Sequence, residues 1–166
     1  MPTLAVVLEG LAEAIAADES VAAASFEAHA TLVGVTEVDV ATGNHTFKVD
    51  EPEALGGTDL AANPVQLLLA SLGACQAITY QVWAAKLGIA IEGVEARVEG
   101  DIDLRGFFGI DESIRPGFTR IRLFVTLRGP ETDERYQELV DAVNVHCPVL
   151  DIVAQPVPID REVKFA

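Results

Sequence analysis

Two side chains in this sequence can act as soft nucleophiles, Cys75 and Cys147. Thiolates attack peroxides and disulfides and ligate soft metals. The pair stands 72 residues apart, with no Cys-x-x-Cys and no helix face carrying two histidines, so the spacing argues against a metal site. Free cysteine is also among the most buried residue types and often only fills space, so each must be judged by its surroundings. Cys75 lies among small residues in Leu72-Gly73-Ala74-Cys75-Gln76, where a substrate or a neighbouring helix can come close. Cys147 directly precedes Pro148 and can cap a following helical turn, whose dipole favours thiolate. On these grounds alone Cys147 is the more acidic thiol, because a cysteine about a dozen residues into a helix gains nothing from that helix's N-terminus. His146 beside Cys147 reads as an exposed or core-edge histidine rather than a base. His29 and His45 read as strand residues.

The elements that must position the thiols are legible from periodicity. Leu4, Val7, Leu8, Leu11 and Ile15 recur at helical spacing with Glu9 and Glu13 opposite, which predicts an amphipathic helix ending near residues 18–20. Residues 26–49 alternate at period two, and Thr42-Gly43-Asn44 reads as a hairpin turn between two strands. Residues 50–62, with Pro52, Gly56 and Gly57, read as a loop. Asn63-Pro64 then opens a long helix, with Asn63 as cap and Pro64 at the first position, running to about Leu87 and stopping at Gly88. It is apolar on nearly every face and is expected to be enclosed on all sides. Val94, Ala96 and Val98 mark one strand, and Ile121, Leu123, Val125 and Leu127 another, joined by a loop through Gly106-Phe107-Phe108-Gly109. Thr132 caps a second helix with Tyr136, Leu139, Val140 and Val143 as its buried stripe, ended by Cys147-Pro148. A short turn through Ile152 and a last strand over residues 157–165 complete an α+β pattern.

The chain has 166 residues, suited to one domain spanning 1–166, with residues 1–20 as a helical extension. Half its residues are hydrophobic, which excludes disorder. Asp and Glu outnumber Lys and Arg by 26 to 11, a net charge of −15, which argues against a nucleic-acid or an acidic membrane surface as partner. Met1-Pro2-Thr3 has no basic region, and Glu9 and Glu13 interrupt the apolar stretch after it, so a targeting signal is not expected and a cytoplasmic location is. The uncharged run 60–85 contains Asn63, Pro64, Gln66, Gln76 and Gln81 and reads as a core helix rather than a membrane span.

Two linked runs carry a family resemblance. Asp50-Glu51-Pro52-Glu53-Ala54-Leu55-Gly56-Gly57-Thr58-Asp59 with Asn63-Pro64-Val65-Gln66-Leu67-Leu68-Leu69-Ala70-Ser71-Leu72-Gly73-Ala74-Cys75 resembles the first-cysteine signature of the OsmC/Ohr family of thiol peroxidases. Cys147-Pro148-Val149-Leu150-Asp151 with Pro156-Val157-Pro158-Ile159 resembles the second. The resemblance implies antiparallel sheets wrapped around two long central helices in an intertwined homodimer, with active sites at the subunit interface and the helix before Val21 as an addition. It implies that Cys75 attacks the peroxide, that Cys147 resolves the sulfenic acid to a disulfide, and that an external dithiol, with no bound cofactor or metal, restores both thiols.

The sequence departs from the family pattern at the activating cation. Peroxidatic members hold an arginine from their N-terminal strands with a glutamate just after the helix-start proline; here that position is Val65, and no arginine precedes Arg97. Without a nearby cation only a few per cent of a free cysteine ionises at neutral pH. Candidate replacements are Arg97, Arg120, Arg122 and Arg128, with Glu51 or Glu53 as anchors, although strand arginines ordinarily face water. Phe107 and Phe108 could line an apolar mouth suited to an organic peroxide, or anchor their loop in a dimer core. The leading expectation is a homodimeric reductase of organic hydroperoxides. The alternatives are a dimer of the same fold that binds a small apolar electrophile without turnover, and a structural dimer with inert thiols.

Overall fold

The computed structural model describes residues 3–165. Met1 and Pro2, the first residues of the stretch considered for a targeting signal, lie outside them. The chain divides into two compact units, one running through Ala70 and the other starting at Ser71.

The first unit opens with helix α1 (Leu4–Ala17), whose Thr3 hydroxyl accepts from the Val6 N–H and which ends at Asp18. Its helical period is as the spacing predicts. No residue of it is buried, so the apolar stripe including Val7 and Leu11 faces solvent within the single chain. Strands β1 (Ala28–Leu32), β2 (Val38–Thr42) and β3 (His45–Val49) form an antiparallel meander with the hairpin at Gly43-Asn44. His29 and His45 lie on β1 and β3. After β3 the chain is tied by one carboxylate. Asp50 is 1% exposed and accepts from the Thr36 hydroxyl at 2.6 Å, the Thr58 hydroxyl at 2.7 Å and the backbone N–H groups of Thr58 and Leu60. Those donors, the Thr36 hydroxyl foremost, hold its carboxyl well below the usual aspartate range. The loop 50–62 thus has a fixed path, with a single 3₁₀ turn at Glu53–Leu55.

Helix α2 (Pro64–Leu87) begins as its sequence dictates. Asn63 Oδ1 accepts from the Gln66 N–H while Gln66 Oε1 accepts from the Asn63 N–H, both at 2.9 Å, a reciprocal capping box. It ends at Gly88, whose φ of +62° only glycine adopts without strain, and the Ile89 N–H returns to the Ala84 carbonyl.

In the second unit, strands β4 (Gly93–Ile102) and β5 (Phe118–Arg128) make a long antiparallel pair. Gly73 lets α2 approach this pair closely: a Cβ there would stand 3.3 Å from Val98 Cγ2. Between the strands, Leu104–Phe107 forms a one-turn helix, α3, where the sequence reads as loop; the Asp103 carboxylate accepts from the Arg105 N–H and starts the turn. Helix α4 (Asp133–His146) is capped by Thr132 and buries Leu139 and Val143 completely, and helix α5 (Pro148–Ala154) follows with Cys147 as its cap residue. The core joins Tyr80, Ala84 and Ile89 to Leu139, Val143 and Cys147. Fully covering a leucine-sized side chain in this way is worth about 1.5–3 kcal/mol.

Two expectations need correcting. The last strand does not form: residues 156–165 take no regular secondary structure and pair with no strand, with Ile159 81% and Phe165 96% exposed. Pro156 and Pro158 offer no N–H to a ladder. Nor is α2 enclosed on all sides. It buries Leu72, Gln76, Thr79, Tyr80 and Ala84, yet Ile78 stays 65% exposed, so the single chain covers only one face of a helix long and apolar enough in composition to cross a membrane.

Candidate functional site

The middle of α2 and the junction between α4 and α5 bring the two cysteines together. Cys147 Sγ lies 3.4 Å from Cys75 Sγ, across 72 residues of sequence. Cys147 is buried and packs in the core with Leu139 and Val143, whereas Cys75 is half-buried at its margin. Pro148 at the first position of α5 leaves Val149 as the first residue of that turn with a free N–H. Thr79, one turn after Cys75, donates its hydroxyl to the Cys75 carbonyl at 2.7 Å and stands 3.9 Å from the sulfur.

These neighbours set the ionisation of Cys75. Burial pushes its thiol up, the Val149 N–H opposes that shift, the adjacent Cys147 adds to it, and the Thr79 hydroxyl opposes it. Two thiolates 3.4 Å apart would repel each other strongly. Among the described residues no cation figures in this balance. A helix N-terminus does serve Cys75 after all, but it belongs to α5 rather than to the helix that carries the cysteine.

The arginines named from sequence project from the strand pair. Arg122 donates to Glu99 at 3.0 Å and grips both oxygens of Asp101, its cross-strand neighbours. Arg97 pairs with Glu99 and lies 4.1 Å over the Phe124 ring, and Arg128 donates to Glu95 at 2.8 Å. Arg120 is exposed. Arg122 is thus half-buried in its ion pairs, while Arg97, Arg120 and Arg128 stand at the surface of the single chain. Glu51 and Glu53 belong to the first unit, where Glu51 accepts from Asn63 Nδ2 at 3.3 Å and so supports the start of α2. Phe107 and Phe108 meet edge to face at 5.0 Å and are 61% and 54% exposed, forming an apolar projection from the single chain.

Three residues of the neighbourhood escape the sequence reading. Thr79 reaches Cys75 by the local four-residue spacing of α2, whereas the Val149 N–H comes to Cys75 only through the fold, with the Cys-Pro-Val order as its local trace. Gln76 is fully buried and neither Nε2 nor Oε1 has a partner; it borders a cavity of about 260 Å³ lined also by Tyr80, Leu123 and Val140. A glutamine in an apolar helix gives no sign of which face it occupies. His146 stacks on Trp83 at 4.0 Å and its Nδ1 meets the Ala142 carbonyl, so it is the exposed, core-edge histidine expected and not a base for the thiols.

The profile of the OsmC-like protein family matches residues 57–162, a span that contains both cysteines. None of the curated proteins matches the chain. Among solved structures, the OsmC-like protein of Mycoplasma pneumoniae is similar with a TM-score of 0.69 at 20% identity, covering 80% of this chain and 89% of its own. An organic hydroperoxide resistance protein from Elizabethkingia anophelis gives 0.62 at 24% identity, covering 81% and 91%. The organic hydroperoxide resistance protein OhrB of Bacillus subtilis gives 0.53 at 24% identity, covering 80% and 93%. These likenesses speak for a shared fold, the α+β arrangement of antiparallel sheets and long helices. With the profile spanning well over half the sequence and the paired-thiol fold in place, the chain belongs to the OsmC-like family.

Proposed function

We propose that the chain is a cytoplasmic, homodimeric thiol peroxidase acting on organic hydroperoxides through Cys75 and Cys147. The observation that carries this reading is the 3.4 Å approach of the two sulfurs, which permits condensation with little motion. The Cys75 thiolate attacks the distal peroxide oxygen, the O–O bond breaks, and the alcohol leaves with a proton while sulfur gains the oxygen as sulfenic acid. The Cys147 sulfur then displaces that oxygen, which departs as water with the Cys147 proton, and a disulfide remains. An external dithiol returns two electrons and two protons.

The relatives named as organic hydroperoxide resistance proteins support the substrate class, as do the exposed Phe107 and Phe108. A second copy supplies what one chain lacks. It covers the open face of α2 at Ile78, and an exposed Arg120, uncommitted to the grip that holds Arg122, supplies a cation to its partner's Cys75. A second reading, binding of a small electrophile or apolar ligand without turnover, is favoured by Val65 in place of the helix-start glutamate and by the absence of any arginine before Arg97.

One equivalent of cumene hydroperoxide added to reduced protein separates the two. Turnover removes both thiols and two hydrogens in mass; Cys75→Ser abolishes the loss, and Cys147→Ser stops at a sulfenic acid that dimedone traps. Oxidation no faster than that of a free small thiol eliminates the peroxidase reading.

A further inference from the structure

We infer that the reduced Cys75–Cys147 pair is also a chelating site for monosubstituted trivalent arsenic, compounds of the type R–As=O. The inference rests on the same thiols as the proposed function but not on peroxide turnover. Its basis is the bite of the pair. Two sulfur bonds of about 2.3 Å, the length of a thiolate bond to zinc, subtend an angle close to 95° when the sulfurs stand 3.4 Å apart. A tetrahedral centre with such bonds needs its sulfurs about 3.8 Å apart, and a linear one about 4.6 Å. The preformed separation therefore favours a pyramidal, sulfur-seeking centre with bond angles near a right angle, which is the geometry of arsenic(III) bound to two thiolates and one carbon.

The surroundings agree with that choice. Cys147 is buried in the core with Leu139 and Val143, so packing holds its end of the bite. Cys75 is half-buried, which leaves an open side for the substituent R. No group of three or more His, Cys, Asp or Glu gathers among the described residues, so a metal preferring four protein ligands finds only two here. The reaction needs no oxidant or reductant. Two S–H bonds break, two As–S bonds form, the oxo group leaves as one water carrying both protons, and arsenic stays trivalent. The second As–S bond forms within one molecule, which raises retention by about 100-fold or more over a single thiol. A chelated pair has no free thiolate, so the arsenical also blocks oxidation by peroxide.

The test uses full-length reduced protein and phenylarsine oxide, read by intact mass and thiol titration with no peroxide present. The expected result is one phenylarsenic per chain, loss of two titratable thiols per arsenic, release by a small dithiol but not by the same concentration of a monothiol, and about 100-fold weaker retention in Cys147→Ser. One thiol lost per arsenic, arsenic bridging two chains, or retention equal to that of Cys147→Ser overturns the inference. Should that variant misfold, the stoichiometry on the unmodified chain decides by itself. Because no peroxide enters, a protein that chelates but does not reduce hydroperoxide defeats only the peroxidase reading. One that oxidises its thiols but fails to chelate defeats only this one.

Discussion

Each of the two units is stabilised internally by a different means. In the first, Asp50 is the one fully buried carboxylate among the described residues and gathers four donors, while the helix α1 of the same unit buries nothing. In the second, Leu139, Val143, Tyr80 and Ala84 are sealed in an apolar core that also takes in Cys147. Hydrogen bonds to a charge are directional and respond to pH, whereas apolar packing is non-directional and does not. A redox pair benefits from the second kind of support, since its sulfurs must stay at one separation whatever the charge state around them.

The largest blow to this contrast is Leu139→Ala. It should cost about 2–5 kcal/mol by opening a cavity in the second unit's core, and it should expose Cys147 to alkylation under conditions where the parent protein is protected. Urea unfolding and timed iodoacetamide labelling read both effects; unchanged labelling would mean that the core does not hold the thiol.

Asp50→Asn strikes the other unit. The folded carboxyl titrates below its unfolded value, so its stabilising contribution is in place above the ordinary aspartate range, near about pH 4, and fades as the pH falls below it. The parent protein should lose stability in residues 36–60 as acid is added, and the variant, already weakened at neutral pH, should show a flatter profile. Amide exchange in that segment between neutral pH and about pH 3 checks the sign.

Gln76→Leu sharpens the contrast in the opposite direction. Replacing a buried amide whose two polar atoms are unpaired with an apolar group of similar size should raise the stability of the second unit by about 1–3 kcal/mol. A loss instead would reveal a hydrogen-bonding partner for Gln76. Asn63→Ala carries the smallest effect, about 1 kcal/mol, by removing half of the reciprocal cap at the start of α2. Helicity measured by circular dichroism against urea would show it as a shift in midpoint with an unchanged slope.

What the sequence makes legible is whatever neighbouring residues settle among themselves. Asn63-Pro64 starts a helix, Gly88 stops one, Thr132 caps another, and Gly43-Asn44 turns a hairpin, because each device is complete within a few residues. Reading residues 157–165 as a strand fails for the converse reason: alternation is local, but a ladder needs an edge to pair with. The same divide runs through the site. The capping position of Cys147 is local and legible, whereas the sulfur–sulfur approach, the Val149 N–H beside Cys75 and the burial of Gln76 arise from elements meeting across many residues. The family resemblance, not the periodicity, is what pairs Cys75 with Cys147 in advance. Helix dipoles rank the two thiols only by the helix that carries each, and the fold lends Cys75 the end of another.

The unpaired tail has a consequence for solubility. An unpaired segment with Val157, Ile159, Val163 and Phe165 all more than half exposed is the sort of sequence that templates fibrils. This one is guarded: Pro156 and Pro158 break its first half, Asp160, Arg161 and Glu162 divide its apolar residues, and Lys164 reaches back to Glu162 at 3.3 Å. No window of six residues is both proline-free and uncharged, so gatekeeper residues let the tail remain open to legitimate pairing without inviting runaway stacking.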